Sequence, residues 1–184
     1  MAKKYNIELE VLSSMTNAPG TIVKEAVKME KMLVSGVAKD TNVARVSVVG
    51  VPDVPGLAFK LFSKLASKGI NVDIILQSIG RDGTKDIAFT VAKENGKEAV
   101  AIMEDFISVV GGKSVTLSED VAKIYIVGAG MESHAGVATK MFEALFDAQI
   151  NIQMISTSEI KVSVLINADD ADKAVSAIHS KFFD

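Results

Sequence analysis

The chain has 184 residues, of which 48% are apolar and 23% charged, so it can fold around a core. Its net charge of −3 lacks the excess of Lys and Arg that a phosphate backbone requires, which argues against nucleic acid as a partner. The absence of Cys excludes disulfides, thiolate metal sites and a cysteine nucleophile, and two His are too few for a histidine zinc site. We therefore expect neither a catalytic residue nor a metal.

The N-terminal sequence MAKKYNIELEVLSS has two lysines but no continuous apolar segment of the kind found in a leader. No apolar stretch elsewhere approaches the roughly 18 residues of a membrane helix. The sequence therefore predicts a cytoplasmic protein without a membrane partner.

Two short segments ahead of residue 44 alternate apolar and polar side chains as strands do. They are residues 7–12 and residues 31–38. Neither has a neighbouring strand in sequence with which it could pair. The partner of residues 31–38 must come from elsewhere in the fold, whereas residues 7–12 belong to neither repeated unit and look like the tail of an upstream segment.

From residue 44 onward the pattern predicts alternating strands and helices. Residues 44–50 are a Val-rich strand, and Leu57, Leu61 and Leu65 follow at helical spacing up to a stop at Gly69. The remaining predicted elements are strands at 72–79, 86–92 and 114–117 and a helix at 97–107. The order βαββαβ is typical of a ferredoxin-like unit, an antiparallel four-stranded sheet with two helices on one face.

The chain contains an internal repeat with a period near 80 residues. The segment that begins at Ala44 aligns with the one that begins at Ala122, so that Gly56 matches Gly136 and Ser78 matches Ser158. This period is too long for a solenoid and indicates a duplicated small domain.

The second copy repeats the first but stops before its fourth strand. Its predicted elements are strands at 123–128, 151–157 and 160–166 and helices at 136–148 and 170–181. The spare strand ahead of the first copy, within residues 32–37, can complete the second sheet. The predicted fold class is therefore α+β, with two ferredoxin-like units and the first nested inside the second.

The stretches VGVPDVPGLAFKLFSKLASKGINVDIILQS and VGAGMESHAGVATKMFEALFDAQINIQMISTSEIKVSVLI resemble the tandem ACT domains of aspartate kinase, particularly the regulatory β subunit of its lysine- and threonine-sensitive α2β2 type. The match runs from about residue 29 to residue 183, and GAGM, SH-x-G and ISTSEI are its most specific motifs. It implies ACT domains at 44–118 and at 31–39 plus 122–184. Residues 1–28 are similar to the end of a kinase domain and its linker. One departure is Ala135, where the family usually has Pro.

The loop GVPDVPG offers what a free amino acid needs. A ligand ammonium requires carboxylate or carbonyl acceptors, and a ligand carboxylate requires backbone N–H groups such as those at a helix N-terminus. Asp53 precedes a helix that is predicted to begin near Pro55, and Gly56 leaves the backbone accessible. From spacing alone, Asp53 is equally well explained as the N-cap of that helix.

The strand after this helix carries polar residues on one face. Alternation places Asn71, Asp73, Ile75 and Gln77 on one face, and it predicts that the apolar set Val72, Ile74 and Leu76 faces the helices. The second copy places Asn151, Gln153, Ile155 and Thr157 on the equivalent face. A buried polar interface and an exposed sheet face explain this pattern about equally well.

The resemblance implies contacts with a bound effector in both copies. The residues that match the family's effector contacts are Asp53, Ala58, Asn71, Val72, Asp73 and Gln77 in the first copy, and Val137, Ala138, Asn151, Ile152, Ser158 and Glu159 in the second.

The resemblance implies an allosteric sensor that is not itself catalytic. It would bind threonine, lysine or both and transmit feedback inhibition to an aspartate kinase catalytic subunit or domain, with ATP bound only on that catalytic part and no cofactor on this chain. Because ferredoxin-like units leave sheet edges unpaired, we also expect a homodimer in which the first copy of one chain contacts the second copy of the other. The resemblance fits both a natural β subunit and a fragment of a longer kinase.

Three other functions can be weighed against the sensor. The chain has no phosphate-binding loop with which to transfer phosphate itself, and GAGMESHAG lacks the spacing of a dinucleotide fingerprint. An RNA-binding pair of ferredoxin-like units would require the aromatic-rich RNA-binding motif, which the sequence lacks. A standalone amino-acid-binding ACT module that regulates another partner remains the alternative.

Overall fold

A computed structural model of the chain describes residues 9–12, 14–15, 21–23, 34–78, 80, 82–128 and 136–183. The chain divides into two compact units, residues 1–32 and residues 33–184. In the first unit, strand β1 (Leu9–Val11) pairs antiparallel with strand β2 (Thr21–Val23). The strand predicted within residues 7–12 is therefore present over Leu9–Val11, and its partner β2 lies outside both copies of the repeat.

The second unit begins with strand β3 (Gly36–Asp40) and continues into the first copy of the repeat. The elements of this copy are β4 (Ala44–Pro52), α1 (Leu57–Ser67), β5 (Ile75–Gln77), β6 (Thr84–Val91), α2 (Gly96–Val110) and β7 (Ser114–Ser118). Its four strands form an antiparallel sheet in the order β5-β6-β4-β7.

The second copy has the same architecture and borrows one strand. Its own elements are β8 (Val121–Val127), α3 (Val137–Asp147), β9 (Met154–Ser158), β10 (Lys161–Asn167) and α4 (Ala171–Phe183). Its sheet has the order β3-β8-β10-β9, so β3 pairs with β8 across the whole of the first copy. This pairing confirms the predicted α+β fold, in which the first ferredoxin-like unit is nested inside the second.

Each copy encloses its own apolar core between the sheet and the two helices. In the first copy, alternate residues of β4 and the residues Leu57, Leu61 and Leu65 of α1 are buried around Phe89. The second copy repeats this arrangement around Met141 and Leu145 of α3. Burial of a Leu or Phe side chain stabilises the fold by about 1.5–3 kcal/mol. The burial of these two apolar cores therefore determines the fold.

The borrowed strand differs from the prediction in its bounds. The ladder with β8 covers Gly36–Asp40, later than the predicted residues 32–37, of which 32 and 33 lie outside the described residues. Val34 is buried in the second core before the ladder begins. Its apolar side chain thus serves packing and not strand pairing.

Strand β5 is shorter than the predicted strand at 72–79, whose residue 79 lies outside the described part of the chain. The backbone N–H of Asp73 donates to the carbonyl of Thr90, and the N–H of Ile74 donates to the Thr90 hydroxyl, at 3.1 and 3.0 Å. This side-chain hydrogen bond replaces a regular ladder contact, because Thr hydroxyls compete for backbone groups. A regular ladder therefore begins only at Ile75.

The prediction that Val72, Ile74 and Leu76 all face the helices is wrong beyond Val72. Val72 packs against the first core, whereas Ile74 belongs to a third apolar cluster and Leu76 is exposed. The second copy shows the same change, since Ile152 packs against the second core and Met154 lies in the third cluster. The irregular start of the strand shifts the alternation in both copies.

Candidate functional site

The two copies contact each other through the sheet faces that lie away from the helices. The third apolar cluster contains Val43, Ile74 and the half-buried Ala88 from the first copy and Val121, Met154 and Leu165 from the second. It contains two buried residues of the first copy and three of the second, and the repeat matches Val43 with Val121 and Ile74 with Met154. We call this contact the seam.

Polar contacts flank the apolar cluster and cross the seam in both directions. Arg45 on β4 donates to the side-chain oxygen of Gln153 at 2.8 Å. Lys123 on β8 donates to Asp73 Oδ2 at 2.6 Å. The repeat matches Arg45 with Lys123 and Asp73 with Gln153, so each copy sends a cation to the equivalent position of the other.

Lys123 is the most buried charge at the seam, with 11% of its side chain exposed. Its ammonium also lies 3.2 Å from Asp40 at the end of β3. Burial alone would lower the pKa of Lys123, but the hydrogen bonds and charges of Asp73 and Asp40 outweigh burial and raise the pKa above its ordinary value. Two carboxylates thus share one ammonium, and the cluster has a net negative charge.

A cavity of about 430 Å³ opens beside this ion cluster. Asn71, Val72 and Asp73 line it together with Asp40 and Lys123. Its walls offer carboxylate and carboxamide groups, which suit a ligand with an ammonium group.

Asp73 also lines a second cavity, of about 210 Å³. Asp73 and Ile74 of the first copy face Ser156, Ser158 and Lys161 of the second copy across it. The aspartate therefore lines both cavities.

The first-copy residues that were implied as effector contacts lie in four places, of which that of Asp53 is described below. Asn71, Val72 and Asp73 meet at the larger cavity, while Ala58 lies in the first turn of α1 and Gln77 is exposed at the end of β5. Neither cavity is lined by Asp53, Ala58 or Gln77.

The N-cap interpretation of Asp53 is wrong. The N-cap of α1 is Gly56, with φ of 84° and no side-chain cap. The Asp53 carboxylate instead lies 3.0 Å from the ammonium of Lys85, a β6 residue with 8% of its side chain exposed. Pairing a buried ammonium takes precedence over capping, because an unpaired buried charge is costly.

In the second copy, only one residue of the implied set lines these two cavities. That residue is Ser158, which faces Asp73 in the smaller cavity. The others are Val137 and Ala138 in the first turn of α3, Asn151 and Ile152 ahead of β9, and the exposed Glu159 after β9. These five residues lie along the helix start and edge strand of the second copy.

The sequence prediction missed the cations of the seam. Arg45 and Lys123 each follow the Ala at which the aligned repeat begins, as the second residue of β4 and the third residue of β8. A charge repeated at that position in two otherwise apolar strands is a signal that could have revealed a shared polar contact. Lys161 was also missed, because it looks like an ordinary solvent-facing residue of an edge hairpin.

Within the described ranges, no helix is both long and apolar enough to cross a membrane. The same residues hold no group of three or more His, Asp or Glu arranged as metal ligands. Most of the GAGMESHAG loop, residues 129–135, lies outside the described part of the chain.

Two protein-family models match the chain, and both describe an ACT domain. One covers residues 44–111 and the other residues 124–182. They coincide with the two copies of the repeat.

Known proteins that are similar to this chain include an aspartokinase from Mycolicibacterium smegmatis, 46% identical over 186 residues. That alignment covers 98% of this chain but 44% of the relative, so the chain spans less than half the length of that enzyme. The regulatory subunit of aspartate kinase from Thermus thermophilus is 41% identical, with a TM-score of 0.78, over 83% of this chain and 99% of that subunit. A structure of aspartokinase alpha and beta subunits is 44% identical, with a TM-score of 0.76, over 81% of this chain and 98% of the matched chain.

Proposed function

Because this chain belongs to the family of aspartate kinase regulatory subunits, we propose that it binds threonine, lysine or both and thereby mediates feedback inhibition of aspartate phosphorylation. The catalytic partner is an aspartate kinase subunit or domain that carries the ATP and aspartate sites. The chain itself has the role of a sensor.

The observation that carries the proposal is the meeting of implied effector contacts at the seam. Asn71 and Asp73 face one cavity together, and Asp73 and Ser158 face the other. A carboxylate that is already hydrogen-bonded on one oxygen is a suitable acceptor for the ammonium of an amino acid. Asn71 supplies a carboxamide with which the carboxylate of the same ligand can bond.

Feedback inhibition further requires that the effector binds one arrangement of the protein better than another. The seam is suited to this, because its ligand-facing residues come from two separately folded copies. A ligand that contacts both copies stabilises the arrangement in which both contacts are made. The proposed sensor therefore acts by holding the two copies in one arrangement relative to each other.

The proposal includes a homodimer in which the first copy of one chain contacts the second copy of its partner. β5 and β9 each lie at one edge of their sheet, with β7 and β3 at the opposite edges. Their apolar residues Ile75 and Ile155 are 49% and 41% exposed. Unpaired edges with apolar side chains are ready-made surfaces for another strand.

Calorimetric titration of the chain with threonine, with lysine and with ATP tests the proposal directly. We expect saturable binding of at least one of the two amino acids and no binding of ATP. A Ser158→Phe variant, which places a ring in the smaller cavity, should weaken amino-acid binding at least about tenfold, whereas Ser108→Phe on the exposed face of α2 should not.

A second assay links binding to regulation. The chain is mixed with a matching catalytic subunit, and the rate of aspartyl phosphate formation is measured against threonine and lysine concentration. The proposal predicts that inhibition depends on this chain. Binding of neither amino acid, or phosphorylation of aspartate by this chain alone, would contradict it.

A further inference from the structure

Strand β4 contains a β-bulge just ahead of the loop that carries Asp53. Val48 pairs with Ile87 and Val51 pairs with Lys85, so β4 has one residue more than β6 between these two pairs. Val48 and Val51 are both buried, although a regular strand turns side chains three positions apart to opposite faces. The bulge therefore sets the direction in which β4 enters this loop.

One carboxylate binds the bulge. The backbone N–H of Gly50, a residue without a partner in either ladder of β4, donates to Asp86 Oδ1 at 2.8 Å. Gly50 has φ of 68°, and a Cβ there would lie 2.7 Å from the side chain of Lys113. The bulge therefore requires glycine, both for its backbone conformation and for space. The acceptor for the N–H of this glycine is a side chain.

The second copy bonds the equivalent glycine in a different way. The repeat matches Gly50 with Gly128 and Asp86 with Lys161. The N–H of Gly128 donates to the backbone carbonyl of Ile160 at 3.0 Å. A backbone acceptor is present whatever the side chain, whereas the acceptor in the first copy depends on the identity of residue 86.

The backbone of Asp86 also binds the end of β5. The N–H of Asp86 donates to the Ser78 hydroxyl at 2.9 Å, and the carbonyl of Asp86 accepts from the N–H of Ser78 at 3.0 Å. Ser78 directly follows Gln77, the last residue of β5. Asp86 thus connects two segments that carry implied effector contacts, which are the loop of Asp53 and the strand of Gln77.

Residues next to Asp86 in sequence bind Asp53 itself. The N–H of Asp53 donates to the carbonyl of Gly83 at 2.8 Å, and the carboxylate of Asp53 lies 3.0 Å from the ammonium of Lys85. These contacts fix Asp53 only as long as β4 keeps its register with β6. The hydrogen bond from Gly50 to Asp86 maintains that register at the bulge.

We propose that Asp86 is a positioning residue of the effector site, whose carboxylate fixes the bulge at Gly50 and thereby orients Asp53 toward the ligand. This inference rests on the proposed function and deepens it, because Asp86 is not among the implied effector contacts. Its effect on affinity passes through the backbone of β4. The first copy therefore depends on one side-chain acceptor for the geometry of its effector loop.

Hydrogen exchange followed by NMR tests the local part of the inference in the full chain. The Gly50 amide should exchange roughly 2- to 10-fold faster in Asp86→Ala than in the wild type, as for loss of one hydrogen bond. It should stay protected in Asp86→Asn, because a carboxamide oxygen also accepts a hydrogen bond. The Gly128 amide is the internal control, since its acceptor is a backbone carbonyl. Unchanged exchange of Gly50 in Asp86→Ala would overturn the inference.

Calorimetric titration with L-threonine and with L-lysine tests the effect on binding. Asp86→Ala should raise the Kd of at least one amino acid that the wild type binds roughly 2- to 10-fold, and Asp86→Asn should stay within about twofold of the wild type. In an Asp53→Ala background, Asp86→Ala should change this Kd by less than about twofold, because the residue that it positions is gone.

Asp82→Asn is the matched control. It removes a carboxylate from the same hairpin, and Asn tolerates the φ of 56° at this position. The Kd of Asp82→Asn should stay within about twofold of the wild type. Circular dichroism and thermal unfolding establish that each variant is folded.

The outcomes separate this inference from the proposed function. If the wild type binds an amino acid and Asp86→Ala retains every wild-type Kd, Asp86 does not position the site and the sensor function stands. A loss in Asp86→Asn as large as that in Asp86→Ala would also overturn the inference alone, because the charge and not the hydrogen bond would then matter. The same is true of an equal effect of Asp86→Ala with and without Asp53. Binding of neither amino acid by the wild type would overturn both.

Discussion

At the scale of single residues, buried lysines of this chain depend on particular carboxylates. Lys85 has Asp53 as its one carboxylate within 4.0 Å among the described residues, whereas Lys123 is shared between Asp40 and Asp73. A buried charge that loses its partner destabilises the fold, while an exposed pair contributes little. Asp53 therefore has a structural role besides the effector contact that the family resemblance implies.

Replacing Asp53 with Ala should therefore reduce both stability and effector binding. We expect about 1–3 kcal/mol lower free energy of unfolding, because Lys85 is left without a partner, although the half-exposed position of Asp53 limits the loss. Effector affinity should fall roughly 10- to 150-fold if the carboxylate also contacts the ligand ammonium. Urea unfolding and calorimetric titration measure the two effects separately.

Asp172→Ala is the matched control, because Asp172 pairs with Lys39 at the surface. It should change stability by less than about 0.5 kcal/mol. Equal losses for Asp53→Ala and Asp172→Ala would show that burial of Lys85 does not matter, and an unchanged effector Kd would remove Asp53 from the site.

Lys123 gives the seam a definite pH dependence. Its pKa is raised in the folded state, so the stabilisation it provides is complete below the unfolded-state pKa of about 10.4 and is lost as pH rises through the higher folded-state pKa. The difference in unfolding free energy between wild type and Lys123→Met should thus be constant from about pH 7 to 9.5 and shrink above about pH 10.4. Urea denaturation at each pH measures it. A difference that persists unchanged at pH 11.5 would show that Lys123 does not stabilise the fold through its charge.

At the scale of the elements, a glycine in the left-handed region begins the first helix of each copy. Gly56 and Gly136 have φ of 84° and 99°, and a Cβ at either position would meet nothing within 4 Å. The requirement for Gly is therefore one of backbone conformation and not of space.

Gly136→Ala and Gly56→Ala should each cost about 1–2 kcal/mol of stability, because L residues are strained in this region. Gly36→Ala is the control, since Gly36 also has open space around it but no positive φ. Differential scanning calorimetry compares the three variants. If all three unfold at the same temperature, the left-handed backbone imposes no strain.

Much of the fold could be predicted because each element has its own apolar pattern. Periodicity located the strands and helices of both copies, and an unpartnered strand ahead of the first copy predicted the nesting. The seam could not be predicted, because the sheet face that carries Lys123, Lys161 and Ser163 has the polar alternation of a solvent-facing surface. Its burial depends on the other copy, which periodicity within one strand does not report. Thr90, which shortens β5, acts through its hydroxyl across the sheet and leaves no local signal either.

At the scale of the whole molecule, the exposed edges of the two sheets predict self-association. Ile155→Lys should place a charge on the edge strand β9 and shift a homodimer toward monomer, as measured by light scattering at micromolar concentration. Val109→Lys on α2 is the control, because Val109 is the most exposed of the large apolar residues of α2 but lies away from both edges. A wild-type chain that is monomeric with and without threonine would contradict the homodimer.

The nested topology also has a consequence for the order in which the molecule folds. Strand β3 is made before the first copy, yet its partner β8 follows only after that entire copy. The first copy begins and ends on neighbouring strands, where Arg45 pairs with Ser118, so its folding brings the two halves of the second sheet together. A long chain closure, which costs conformational entropy and slows folding, thereby becomes a short one. Folding of the inserted first copy should therefore bring β3 and β8 together. Substitutions that disrupt the core of that copy should delay assembly of the β3-β8-β10-β9 sheet.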